Sequence, residues 1–153
     1  KQYNVHPTAI IHPTAKVHKN VSIGEYSVIG NCTINKNVEI GSFCKILDNT
    51  HIGEYTKIKS GAVIGESGFG YTKNSDNSYE HFPHLGGVKI GKNVTIGGQA
   101  GFAGHIKIGN NTVIAARSGV TKDIKENSVV AGFPAVDIKE WKKNIIRNRK
   151  NGY

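Results

Sequence analysis

Seven histidines are the side chains best suited to proton chemistry near neutral pH. Such a ring can act as a general base, an oxyanion donor or a metal ligand, and its setting decides which. His6, His12 and His18 recur every six residues, the first two followed by Pro7 and Pro13. That spacing puts them at successive corners of a repeating fold. They read as polar turn residues that do not converge on a metal, and no metal site is expected. His51 precedes Ile52 on a wall of the same repeat. His81 and His84 flank Phe82 and Pro83 in a polar, turn-rich stretch, and either could reach a substrate. His105 follows Gly104 beside Phe102, and Gly101 and Gly104 leave room for a close approach. A wall position is expected for it, and it is the leading candidate base.

The elements that would hold these rings follow from a period of six. Aliphatic anchors stand at Val5, Ile11, Val17, Ile23 and Ile29. After one five-residue step they resume at Ile34, Ile40, Ile46, Ile52, Ile58 and Ile64. A third run holds Ile90, Ile96, Phe102, Ile108, Ile114 and Val120, which makes seventeen hexads. Gly often follows the anchor, as at Gly24, Gly41, Gly53 and Gly97, where positive φ at a corner is expected. Four residues after the anchor comes a small or β-branched side chain, such as Ala9, Ser27, Thr56 or Ala62. An amphipathic helix cannot produce this period. Three hexads make one triangular coil, so the fold is predicted to be an all-β, left-handed parallel β-helix.

Residues 67–87 break the phase and are expected to leave one corner as a loop. After Val120, the GFPA sequence at Gly132–Ala135 should close the last coil. Residues 137–148 read as a helix with Ile138, Trp141, Ile145 and Ile146 on one face, set to cap the prism's open end. Two units are therefore expected: the β-helix over 1–136 and a basic C-terminal helical segment over 137–153.

The chain of 153 residues contains no Met, from which a trimmed N-terminus is expected. It shows no apolar run long enough for a membrane span and no signal peptide. Its net charge is +9, with six basic residues between Lys139 and Lys150 against the single acid Glu140. Such a segment favours an acidic partner. Cys32 and Cys44 suit a reducing cytoplasm and are expected unpaired, at different positions within their hexads.

The stretches SGAVIGESGFGY (60–71), HFPHLGGVKIG, GGQAGFAGHIKIGNN, SGVTK and AGFPAVDIKEW resemble the bacterial UDP-3-O-(3-hydroxyacyl)glucosamine N-acyltransferases. The resemblance runs from about Val5 to Arg147 and rests most on the GFGY excursion and the GFPA-to-helix ending. It implies transfer of a 3-hydroxyacyl chain from acyl carrier protein to the amine of a UDP-glucosamine derivative, in lipid A synthesis. It also implies a homotrimer with active sites between prisms, no cofactor and no nucleic-acid partner. On that reading His105 matches a family histidine of the acyl-transfer site. Gly104, Phe102, His81 and His84 would contact substrate, and Lys142, Lys143 and Arg147 would dock the acidic carrier protein. Family members also carry a uridine-binding domain before the coils. They carry further coils, with their principal catalytic histidine, where Gly97 here runs straight into Gly98. Removing whole coils leaves a solenoid intact, because each repeat contacts only its neighbours. An acetyl-CoA-dependent sugar acetyltransferase and a catalytically silent trimeric prism are the alternatives. Metal-dependent hydrolysis is a distant further one.

Overall fold

The computed structural model describes residues 4–66, 71–81 and 87–150. Over these residues the hexads wind as a left-handed parallel β-helix whose strands form three sheets, one per side of a triangular prism. The first face stacks β1 (Ile10–Ile11), β4 (Val28–Ile29), β7 (Lys45–Ile46), β10 (Val63–Glu66), β15 (Gly101–Ala103) and β18 (Gly119–Val120). The second stacks β2 (Lys16–Val17), β5 (Thr33–Ile34), β8 (His51–Ile52), β13 (Lys89–Ile90) and β16 (Lys107–Ile108). The third stacks β3 (Ser22–Ile23), β6 (Glu39–Ile40), β9 (Lys57–Ile58), β14 (Thr95–Ile96), β17 (Val113–Ile114) and β19 (Val129–Ala131). At its end β20 (Val136–Asp137) pairs antiparallel with β19.

Side chains alternate across a strand, so each anchor points inward together with the residue two before it. Ile46, Ile52, Ile64 and Ile96 are 0% exposed, and so are Val38, Ala62, Val88 and Val94 at the second inward position. Anchors register on anchors: Ile34 on Ile52, Ile52 on Ile90, Ile90 on Ile108. Each buried isoleucine contributes about 1.5–3 kcal/mol. Cys32 and Cys44 are both buried and free. They occupy the same inward position, two residues before Ile34 and Ile46, rather than different ones. Their twelve-residue separation is two whole hexads of one unbroken phase, so the equivalence follows once both are counted back from Ile34 and Ile46. Burial pushes the Cys32 thiol up to about 11, with the nearby Asp48 carboxylate adding to the rise. Burial raises Cys44 in the same direction.

The corner chemistry differs from the expectation. Positive φ falls three residues after the anchor, at Tyr26, Asn37, Phe43, Asn49, Tyr55, Asn93, Gln99, His105, Asn111, Arg117 and Asn127. Asparagine tolerates this conformation best after glycine. Along one corner the amides also join, with Asn93 Nδ2 donating to Asn111 Oδ1 (3.2 Å) and Asn111 Nδ2 to Asn127 Oδ1 (3.1 Å). The glycines just after the anchors are there for space: a Cβ on Gly24 or Gly41 would lie 2.6 Å from the backbone nitrogen of Ser42 or Ser60 in the next coil.

The C-terminal end is closed by backbone. Gly119 N donates to Gly132 O (2.9 Å) and Ala135 N to Gly119 O (2.8 Å), so the GFPA turn seals the last coil. Helix α1 (Ile138–Lys150) follows, with Asp137 Oδ1 accepting from Lys139 N at 2.9 Å as its cap. Trp141 packs over Gly132, where a Cβ would meet the indole at 2.6 Å. No residue of α1 is buried, and Ile146 is 55% exposed, so the helix touches the end of the prism without covering it.

Candidate active site

The corner between the first and second faces carries the departures from regularity. The chain leaves the coil there after Ile64. Gly65 has φ +88°, and the register between β10 and β15 shifts between Ile64 and Glu66. Lys45 Nζ anchors the exit, 3.2 Å from Glu66 Oε2. What was expected as a loop contains a hairpin, β11 (Tyr71–Lys73) against β12 (Tyr79–His81). Its turn is built by Asn74 N donating to Ser78 O (2.9 Å), Ser78 N to Asp76 Oδ1 (2.9 Å), and Asn77 at φ 65°. The Ser78 hydroxyl (2.6 Å) and the Ser78 N–H, both donating to Oδ1, hold the Asp76 carboxyl below its ordinary range. The turn residues were visible in the sequence, but the strands were not, because neither alternates apolar with polar. Gly87 already belongs to the coil, packed on the Asn49 backbone so closely that no Cβ fits.

One coil further on, His105 occupies this same corner. It is exposed, with φ 64°, and so stands on the edge of the prism rather than on a wall. Gly104 precedes it at the turn. Phe102 faces the other way, 3% exposed within the core, where it shapes the wall from inside and offers no face to a ligand. Gly101 faces outward on β15, where a Cβ would meet nothing within 4 Å. Intrachain packing therefore does not demand glycine at this position, and the wall beside His105 is smooth. The signal in the sequence was a glycine just before an anchor. His81 ends β12; His84 lies outside the described residues.

The other histidines have local duties. His6 Nδ1 lies 2.9 Å from Thr8 Oγ1 and His12 Nδ1 2.8 Å from Thr14 Oγ1, while Asn20 N donates to His18 Nδ1 at 3.2 Å. On β8, Asn35 Nδ2 donates to Ile52 O (3.0 Å) and sits 3.1 Å from His51 Nε2. The Asn35 side-chain amide thus sits between the Ile52 carbonyl and the His51 ring. Among the described residues no group of three potential ligands could hold a metal ion. Lys142, Lys143 and Arg147 lie exposed on α1, with Arg147 Nη2 donating to Asn144 Oδ1 at 3.3 Å.

The bacterial transferase hexapeptide (six repeats) family pattern matches residues 31–66 and 87–122, the coil on either side of the excursion. A UDP-3-O-acylglucosamine N-acyltransferase of Marinomonas sp. is 39% identical over 70 residues, 46% of this chain and 17% of that protein. The enzyme of the same name from Chlorobium chlorochromatii is 53% identical over 38 residues, 25% of this chain and 11% of its own length. The matched stretch thus spans less than a fifth of either relative. Among solved structures, a mutant of AntD, an N-acyltransferase from Bacillus cereus in complex with dTDP-4-amino-4,6-dideoxyglucose and coenzyme A, superposes with a TM-score of 0.72. That match covers 97% of this chain and 89% of AntD, and its 16% identity speaks to the fold alone. Six-residue coils closed by left-handed corners, with the repeat pattern matched on both sides of the excursion, give this chain the fold and the repeat of the bacterial hexapeptide transferases it resembles.

Proposed function

We propose that the chain is the catalytic coil of an acyltransferase acting on a nucleotide-linked amino sugar. In the finest form of this reading, a 3-hydroxyacyl chain passes from acyl carrier protein to the amine of a UDP-glucosamine derivative in lipid A synthesis. The observation that supports it most is the single corner where His105, Gly104 and the outward Gly101 stand one coil from the excursion. In such a step the amine nitrogen attacks the thioester carbonyl and a tetrahedral oxyanion forms. The C–S bond then breaks, and the base passes the amine proton to the departing thiolate. His105 would take that proton, and the smooth wall at Gly101 would let an extended acyl chain or a neighbouring prism lie close. Three copies would supply the second wall of each site, and α1 would meet the acidic carrier through Lys142, Lys143 and Arg147. We place the protein in the cytoplasm, where buried unpaired thiols persist. No helix among the described residues is long and apolar enough to cross a membrane.

A second reading is a coenzyme A-dependent sugar acyltransferase, favoured by the likeness of the fold to AntD, whose structure holds coenzyme A. Reversing Lys142, Lys143 and Arg147 separates the two, because only a protein donor loses rate. For the mechanism, His105→Ala should lower kcat by about a hundredfold or more while KM changes little. The assay uses 3-hydroxyacyl carrier protein and a UDP-amino-sugar. An unchanged rate removes His105 and turns attention to His81 and His84. A wild type without any rate supports the silent trimeric prism instead.

A further inference from the structure

The outward row of the second face carries three lysines, Lys16, Lys89 and Lys107, with Thr33 and His51 between the first two. Lys16 stacks on Thr33, Thr33 on His51, His51 on Lys89, and Lys89 on Lys107, each in direct register. All but Thr33 are exposed. Among the described residues, Lys16, Lys89 and Lys107 have no ion-pair partner. The acid that continues the row, Asp123, turns its Oδ1 to the Lys107 backbone N–H at 2.8 Å. Basic residues also flank the row at the next corner, where Lys36 and Lys92 share one carboxylate, Glu54 (3.7 and 3.6 Å).

Like charges facing each other on adjacent strands repel. The other two faces avoid this: the first carries Ile10, Val28 and Val63 with a paired Lys45, and the third mixes Glu39 with Lys57. Lys89 and Lys107 face each other in this way, and with Lys16 three rungs along they set three charges on one straight row, which calls for a counter-charge of matching pitch. Rungs of the sheet lie about 4.8 Å apart, and an α-helix presents one side chain per turn of about 5.4 Å. Over four rungs the two pitches differ by roughly 2.4 Å, within the swing of a lysine side chain. The row offers no aromatic platform for stacking bases and no apolar residue to enter a bilayer. A second copy on the same face would bring lysine onto lysine.

We propose that this face docks an acidic helix of a partner protein, laid along the prism axis with one carboxylate per turn against the row. The occupant is defined by its charge pattern, so the inference stands whether or not the acyl donor is protein-borne, and its test measures binding rather than turnover.

The probe is a labelled, helix-stabilised peptide carrying one glutamate per turn along a single stripe, read by fluorescence anisotropy at low and moderate salt. Its control has the same composition with the glutamates spread around the helix. The striped peptide should bind about tenfold tighter than the control, with the preference shrinking as salt rises. Lys89→Glu/Lys107→Glu should abolish that preference, and Lys57→Glu/Lys59→Glu at the third face should leave it within about twofold. The milder Lys89→Gln/Lys107→Gln variant, with melting curves for all proteins, separates lost docking from lost folding. Equal binding of the two peptides overturns the proposal, as does full binding by a folded Lys89→Glu/Lys107→Glu variant. Tighter capture of an oligothymidine strand or of phosphatidylglycerol vesicles than of the striped peptide overturns the choice of occupant.

Discussion

The first and second faces of the prism share an inward row and differ in almost everything outside it. Ile29, Ile46 and Ile64 line one face from within, and Ile34, Ile52 and Ile90 line the other, all at most 2% exposed. Outside, the first face shows Ile10, Val28, Val63 and Gly101, and the second shows Lys16, His51, Lys89 and Lys107. Away from the irregular β10–β15 rung the backbone cannot account for this contrast, because both faces stack two-residue strands in direct parallel register. A solenoid needs only its inward row and its corners, so the outward rows are free to carry recognition. One face is smooth and apolar beside His105, and the other carries three lysines in one row.

The largest test of this division places the same substitution on both sides of one strand. Ile52 and His51 are neighbours on β8, one 0% exposed and the other exposed. Ile52→Asp buries an unpaired carboxylate and should cost several kcal/mol, on the order of 3–5, with Ile40→Asp and Ile96→Asp behaving alike. His51→Asp should shift stability by less than about 1 kcal/mol. Urea denaturation monitored by circular dichroism reads both. A wild-type midpoint for any of the three inward variants would mean that the inward row has been misassigned.

Glycine gives the next contrast. A Cβ on Gly41 would crowd the Ser60 backbone at 2.6 Å, while one on Gly101 would meet nothing within 4 Å. Gly41→Ala should therefore destabilise by about 1–3 kcal/mol, and Gly101→Ala should be neutral or stabilise by up to about 1 kcal/mol. If the first face is a site wall or a subunit contact, Gly101→Ala nonetheless lowers acyl transfer or assembly, read by turnover and by sedimentation. A destabilised Gly101→Ala with normal assembly and rate would remove the special standing of this face.

These contrasts also mark what could be read from the chain alone. The inward anchors, the triangular coil and the GFPA closure follow from six-residue spacing, because a period survives any choice of outward residue. The corners were harder. Glycine after the anchor suggested positive φ, yet the left-handed residues are mostly asparagine and aromatics, and the glycines answer to the next coil. That demand is made by residues seventeen to nineteen positions away, such as Ser42 against Gly24 and Ser60 against Gly41, so no local pattern reveals it. His105 could be picked out by type and neighbours, and Phe102 falls in the inward run, but the corner position of His105 depends on the register of the coil. The row of lysines was invisible because neighbours along it stand seventeen to thirty-eight residues apart in sequence.

The smallest predicted effect bears most directly on the two faces, because it is a difference of sign. Lys45 on the first face pairs with Glu66 at 3.2 Å, both side chains about half exposed at 48% and 51%. Lys89 on the second face stacks between His51 and Lys107 without an ion-pair partner among the described residues. Replacing either with glutamine keeps a long polar side chain and removes one charge. Lys45→Gln loses an exposed ion pair and should destabilise by a few tenths, at most about 1 kcal/mol. Lys89→Gln relieves like-charge repulsion across the ladder and should stabilise by roughly 0.2–0.5 kcal/mol. Both effects are Coulombic and near the surface, so both should shrink toward zero as salt rises past about 0.5 M. Thermal melts of the two variants and the wild type at low and high salt measure the pair. Opposite signs converging with salt establish that the second face holds uncompensated charge in the free protein. If Lys89→Gln instead destabilises at low salt, Lys89 has a counter-charge within the protein, and the case for an external acidic helix loses its physical basis.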